Sequence, residues 1–149
     1  QQLRDVHTPV PLAAFSKTPP VASVACGDYH SLAVSEAVQS RSRSSRASHV
    51  WAWGANDYAQ LGLGGEDLVD RHTPSKVVLL SGMLGWGHWV ERVAAGGSVS
   101  AAVTNHGDLY MFGASTEGQC GLGHCDVQPT PHRVGQLRLR REQVEGVAV

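Results

Sequence analysis

Charge is scarce in this 149-residue sequence: Asp, Glu, Lys and Arg make up 17% of it, where an ordinary soluble domain has about a quarter. The two signs nearly cancel at a formal net charge of −1, so no whole-chain field draws in nucleic acid or an anionic membrane surface. Cysteine is scarce too. Cys26, Cys120 and Cys125 are odd in number and lack a framework spacing, and no apolar signal-peptide core opens the chain. Both features point to a reducing, intracellular setting, cytoplasmic or nuclear. No apolar run approaches the ~18 residues of a membrane span. Catalytic signatures are missing as well: there is no glycine loop followed by Lys and Ser or Thr, no G-x-S-x-G, no H-E-x-x-H, and no G-x-G-x-x-G opening a helix. These absences argue against covalent or metal catalysis, and no cofactor is expected.

What the chain has in excess is glycine, 17 residues in all, and the glycines fall in a repeat. Val50-Trp51-Ala52-Trp53-Gly54 followed by Gln60-Leu61-Gly62-Leu63-Gly64 recurs as Leu109-Tyr110-Met111-Phe112-Gly113 followed by Gln119-Cys120-Gly121-Leu122-Gly123, at a constant offset of 59 residues. Upstream, Val21 to Val34 matches Val90 to Val103 at an offset of 69, and each half reads as strand, tight turn, strand. The difference of ten residues measures an insertion in the first copy. It lies at 35–49 and contains Ser40-Arg41-Ser42-Arg43-Ser44-Ser45-Arg46, too polar to offset its own ordering entropy, so a mobile loop is expected there.

His7-Thr8-Pro9 recurs as His72-Thr73-Pro74, which makes residues 1–20 the tail of a preceding repeat and a linker. The first repeat then runs over 21–80, a glycine-rich connector with Trp86 and Trp89 over 81–89, and the second repeat over 90–134. Residues 135–149 form a connector and the start of a third repeat, since Val144-Glu145-Gly146-Val147-Ala148 matches Val90-Glu91-Arg92-Val93-Ala94. After each Gly-Leu-Gly or its equivalent comes a polar connection and a short apolar stretch, Lys76 to Leu80 and His132 to Val134, read as the fourth strand. The uninserted unit is close to 54 residues, room for four short strands. The expected fold is therefore all-β: a β-propeller fragment with two complete four-stranded blades and partial blades at each end.

Val-Ala-Cys-Gly-Asp-Tyr-His-Ser at 24–31, Val-Trp-Ala-Trp-Gly-Ala-Asn at 50–56, Gln-Leu-Gly-Leu-Gly at 60–64 and the Thr-Pro pairs together resemble the repeat of the regulator of chromosome condensation family. The resemblance covers Val21 to Val134. It implies a seven-bladed propeller, of which two blades cannot close a ring, so a piece of a longer chain or completion by a partner is expected. It also implies binding rather than catalysis: a protein-interaction platform, or alternatively a guanine nucleotide exchange factor for a Ran-like small GTPase. Asp28 and His30 are the positions carried over as partner-binding. Val99 replaces the histidine in the second copy, and no insertion resembles the exchange factor's β-wedge. The plant ultraviolet-B photoreceptor, similar in fold, has tryptophan and arginine at this turn, where the sequence here reads Asp28-Tyr29 and Gly97-Ser98.

Other constellations are weaker. Asp28, His30 and Ser31 invite a catalytic reading, yet a turn-fixing histidine explains them as well. Cys120, His124 and Cys125 lack the paired spacing of a structural zinc site. Residues 40–46 read first as a solvated loop, then as a regulatory segment offering serines to a kinase, and last as a contact for phosphates.

Overall fold

The computed structural model describes residues 8–39, 46–65, 68–84 and 87–135. In chain order these form β1 (Val21–Cys26), β2 (His30–Ser35), β3 (Val38–Gln39), β4 (Arg46–Ala47), β5 (Val50–Gly54), β6 (Arg71–Lys76), a short helix α1 (Val78–Met83), β7 (Val90–Gly96), β8 (Val99–Thr104), β9 (Leu109–Gly113) and β10 (Gln128–Arg133). They build two antiparallel four-stranded sheets, ordered β1-β2-β5-β6 and β7-β8-β9-β10. The repeat in the sequence is a repeat in register: His30 pairs with Gly54 in the first sheet and Val99 with Gly113 in the second. Each aromatic strand thus ends opposite the start of the strand that follows the tight turn.

Central strands β2 and β8 are covered on both faces and buried almost throughout, their apolar residues all small or branched and their polar ones, such as His30, Ser100 and Thr104, buried as well. Outermost strands β6 and β10 carry the Thr-Pro pairs. An edge is where proline, lacking an N–H to give to a neighbour, is tolerated. The sheets meet where β1 and β2 lie against β7. One core spans the boundary: Leu32, Ala52, Leu61 and Leu80 of the first blade pack with Val93, Ala102, Tyr110 and Phe112 of the second. A second cluster, including Ala101, Met111 and Cys120, fills the other face of the second blade.

Two details differ from the expectation. The stretch Lys76 to Leu80 is not a strand: β6 ends at Lys76, and Val78–Met83 is helical. A short apolar run has no decisive period, and the helix resolves it by burying Leu80 while leaving Val78 and Leu79 outside. The insertion is not loop throughout, because β3 pairs with β4 as a two-stranded ribbon. Its base is closed by the Ser35 N–H donating to the His49 carbonyl and the His49 N–H to Ser35 Oγ. Residues 40–45 lie outside the described residues, so the expectation of a mobile loop there falls outside them too.

Candidate functional site: the turn end of the blade boundary

The β1–β2 and β7–β8 turns emerge at the same end of the two sheets. They touch: the Asp28 N–H donates to the Gly97 carbonyl at 3.1 Å. Directly beneath, the His30 imidazole is 3% exposed, with Nε2 2.8 Å from Ser100 Oγ. Ser100 Oγ sends its own proton to the Gln60 carbonyl at 2.6 Å. With that proton committed, Nε2 must be the protonated nitrogen and the donor, which leaves Nδ1 as a buried acceptor with no hydrogen-bond partner in the protein. A side chain of the first blade, a hydroxyl of the second and a carbonyl from the loop after β5 thus form one chain of bonds across the boundary. Gly27 makes room for it: a Cβ there would lie 2.3 Å from His30 Cε1 and 2.7 Å from the Gly97 carbonyl oxygen.

Burial lowers the His30 pKa from its ordinary value, and the nearby Asp28 offsets this only in part. The folded chain therefore disfavours the imidazolium that the unfolded chain forms below about pH 6.5. By linkage the unfolded state binds more protons in that range. Stability from His30 is full above about pH 6.5 and drains away as the pH falls toward the folded value. His49, also lowered by burial and by Lys76, acts in the same direction. Thermal melts should accordingly show Tm falling between pH 7 and pH 5, with a shallower fall in His30→Gln; a wild-type Tm flat across that range contradicts this account of the network.

Above the network the end face is exposed and mainly acidic, with the Arg71 guanidinium at its margin donating to the Val69 carbonyl at 3.1 Å. The described loops there, 27–29, 55–65, 68–70, 97–98 and 114–127, carry exposed Asp28, Asp57, Asp70, Glu117 and Asp126, and no Lys or Arg. Two tyrosines stand among them, Tyr29 at 79% and Tyr58 at 48% exposure. Their loops are held from within. The Tyr58 N–H donates to Gln60 Oε1 and the Leu61 N–H to Asn56 Oδ1, while the Asn56 N–H donates to Asp70 Oδ1. In the second blade the Glu117 N–H donates to Gln119 Oε1 in the same way. The opposite end is mixed in sign, with Arg46, Lys76 and Arg133 beside Glu36, Glu91 and Asp108.

Of the positions singled out in the sequence, Asp28 is exposed on this face and His30 lies beneath it. The catalytic grouping does not form: His30 bonds to Ser100, whereas Ser31 Oγ faces Cys26 Sγ at 3.6 Å. Cys120, His124 and Cys125 do not converge either. Cys120 is buried, its thiol pKa pushed up and its Sγ donating to the Ala114 carbonyl, while His124 pairs with Asp126 at 3.3 Å. Within 40–46 only Arg46 is described; it lies at the opposite end with its guanidinium 5.8 Å from the Trp89 ring centre. The acidic end face itself was missed from the sequence, although the absence of Lys and Arg from 55–70 and 114–127 signals it once the two loops are known to be neighbours.

Four-stranded antiparallel sheets set side by side on a shared core, with equivalent loops gathered at one end, are adjacent blades of a β-propeller. The Regulator of chromosome condensation (RCC1) repeat matches residues 1–34, 48–103 and 106–149, passing over the inserted 35–47, and the chain belongs to that family. It is 36% identical over 130 residues to the ultraviolet-B receptor of Arabidopsis thaliana, covering 87% of this chain and 26% of the receptor. With a secretion-regulating guanine nucleotide exchange factor of Bos taurus it shares 39% identity over 80 residues, 54% of this chain and 16% of that protein. Among solved structures, Prp20p of Saccharomyces cerevisiae, described for its binding to Gsp1p and histones, superimposes with a TM-score of 0.57 at 28% identity, covering 77% of this chain and 25% of Prp20p. The chain thus spans about a quarter or less of the length of these relatives. No helix among the described residues is long and apolar enough to cross a membrane.

Proposed function

We propose that the chain is a non-enzymatic protein-interaction platform whose turn end receives a basic protein surface. The observation that carries this is the end face itself: five exposed carboxylates against one described guanidinium, Arg71 at the margin, and two exposed tyrosines on loops fixed from beneath. Tyrosines offer arginine a flat π-face and the carboxylates offer it charge-assisted hydrogen bonds, a pairing suited to Arg-rich partners. In this reading Asp28 and Tyr29 touch the partner, and His30 sets the height and angle of their turn. The same reading takes the setting to be intracellular, cytoplasmic or nuclear, as the few unpaired cysteines suggest.

A second reading, exchange of guanine nucleotide on a Ran-like small GTPase, is supported by the likeness to the secretion-regulating exchange factor and to Prp20p. One pair of assays separates the two, with core histones as the basic probe and Gsp1p loaded with fluorescent GDP as the GTPase probe. The platform reading expects histone binding that weakens steeply with salt and at least about tenfold in the pair Asp28→Lys, Asp57→Lys, with Tm unchanged. Histone affinity unaltered by both substitutions overturns it. Accelerated GDP release that is lost in Asp28→Ala, with the fold intact, moves the function to the second reading.

A further inference from the structure

His30 joins the two described blades from directly beneath the exposed turn, and its bonding suits a neutral ring only. Nε2–H is committed to Ser100 Oγ at 2.8 Å, and the Ser100 proton to the Gln60 carbonyl. Nδ1 is buried and accepts nothing within the protein. It faces Gly27, where a Cβ would lie 2.5 Å from Nδ1 and 2.7 Å from the Gly97 carbonyl oxygen. A second proton on the ring must therefore sit on Nδ1. The new N–H would be a buried donor with no acceptor in reach, an arrangement that folded proteins avoid.

Two acceptors stand close by, the Gly97 carbonyl and the carboxylate of Asp28, whose charge acts on the ring. Both belong to the contact between the β1–β2 and β7–β8 turns, where the Asp28 N–H donates to the Gly97 carbonyl. Neither bonds Nδ1 now, so either must move to do so. The rest of the turn is held, with the Gly27 N–H donating to the His30 carbonyl at 2.9 Å and the Ala55 N–H to the Tyr29 carbonyl at 2.8 Å. Gly97 has room to shift, since a Cβ on it would meet nothing within 4 Å. Movement thus falls on the contact between Asp28 and Gly97.

The charges on the surrounding elements supply no other partner. β5 and β8 carry no ionisable side chain, β2 none besides His30, and β1 only Cys26, whose Sγ faces Ser31 Oγ. The loop after β5 brings the exposed Asp57, and Asp70, which accepts from the Asn56 N–H; β6 brings Arg71, which donates to the Val69 carbonyl. β7 has Glu91 and Arg92, but at the end away from the turn, and the β7–β8 turn has none.

We infer that protonation of His30 releases the contact between Asp28 and Gly97, which makes the turn end an acid-sensitive face governed from the blade boundary. Asp28 and Tyr29 ride on the turn that moves. Affinity of this face for a basic surface then falls with the pH, and this consequence alone rests on the function proposed above. Burial holds the folded imidazole below its ordinary value, so the change comes below about pH 6.5.

The free chain tests the first step. Amide exchange at 27–29 and 97–98, corrected for its intrinsic pH dependence, is followed from pH 7.5 to pH 5.0 beside the ring Cε1–H signal of His30 in NMR spectra. Protection should fall at least about fivefold, with the same midpoint as the His30 titration, while that of β9, which reports opening of the whole sheet, falls less. Differing midpoints overturn the inference, as does a His30 that titrates without loss of protection or stays neutral throughout. His30→Gln, which can donate to Ser100 but does not titrate, should keep its protection. An oligo-arginine peptide, whose charge is constant over this range, tests the consequence. Its affinity should weaken at least about fivefold more in the wild type than in His30→Gln. Equal weakening in both overturns the link between the turn and the face, whereas absence of binding already at pH 7.5 removes the basic-surface reading and leaves the exchange result to decide the inference.

Discussion

Phe112→Ala should cost about 3–5 kcal/mol of unfolding free energy, a large share of the roughly 5–15 kcal/mol that hold a typical domain together. The ring is fully buried, lies against Gly62 of the neighbouring blade, and belongs to the core that both blades share. Its removal opens a cavity between two sheets whose backbones are fixed by their own ladders, so the site cannot collapse to fill it. Each kcal/mol lowers Tm by roughly 2–4 °C in a chain of this size. Urea denaturation followed by far-ultraviolet circular dichroism measures the loss. The midpoint should fall for the whole signal in one step, because the core being emptied serves both sheets. A change below about 1 kcal/mol, or a transition that splits with one half unaltered, contradicts the shared core.

Gly54→Ala should be at least as damaging, for a different reason. Gly54 has φ +105°, and a Cβ there would lie 2.3 Å from the Tyr29 carbonyl oxygen and 2.7 Å from His30 Cα. Both obstacles are backbone of the paired strand and turn, so relief requires pulling β5 away from β2. Strain of this kind costs about 3 kcal/mol or more when backbone must move, and the soluble yield should fall with it. Gly97→Asn is the control. Its φ is +54° and an added Cβ meets nothing within 4 Å, so the cost should stay near 1 kcal/mol or below. Equal losses from the two substitutions would show that positive φ alone, rather than the close approach of β5 to the turn, is what Gly54 serves.

Gly54 was legible in the sequence because it recurs, whereas Gly97 has Asp28 as its counterpart. Gly54 and Gly113 end the aromatic strands at one offset, and the structure gives them nearly equal φ, +105° and +102°. Repetition told turn from strand there without help from propensity. It failed where the copies diverge. Lys76 to Leu80 has no apolar counterpart of the same length after the second Thr-Pro, and a short run of valine and leucine serves a strand or a helix equally well. The network of His30 with Ser100 and Gln60 was out of reach for another reason. It joins residues 40 and 70 positions apart that no period relates, and the second copy's Val99 even suggested that the histidine was dispensable. Likewise, the acidic end face exists only because the topology gathers loops from two blades, while the whole-chain charge of −1 conceals it.

Amide hydrogen exchange of the chain with and without bound core histones tests most directly the claim that the turn end is the binding face. Protection should rise at 27–29, 55–60 and 114–117, leaving the opposite end, 36–39 and 46–49, unchanged. Protection gained at that opposite end, or at neither end, would contradict it.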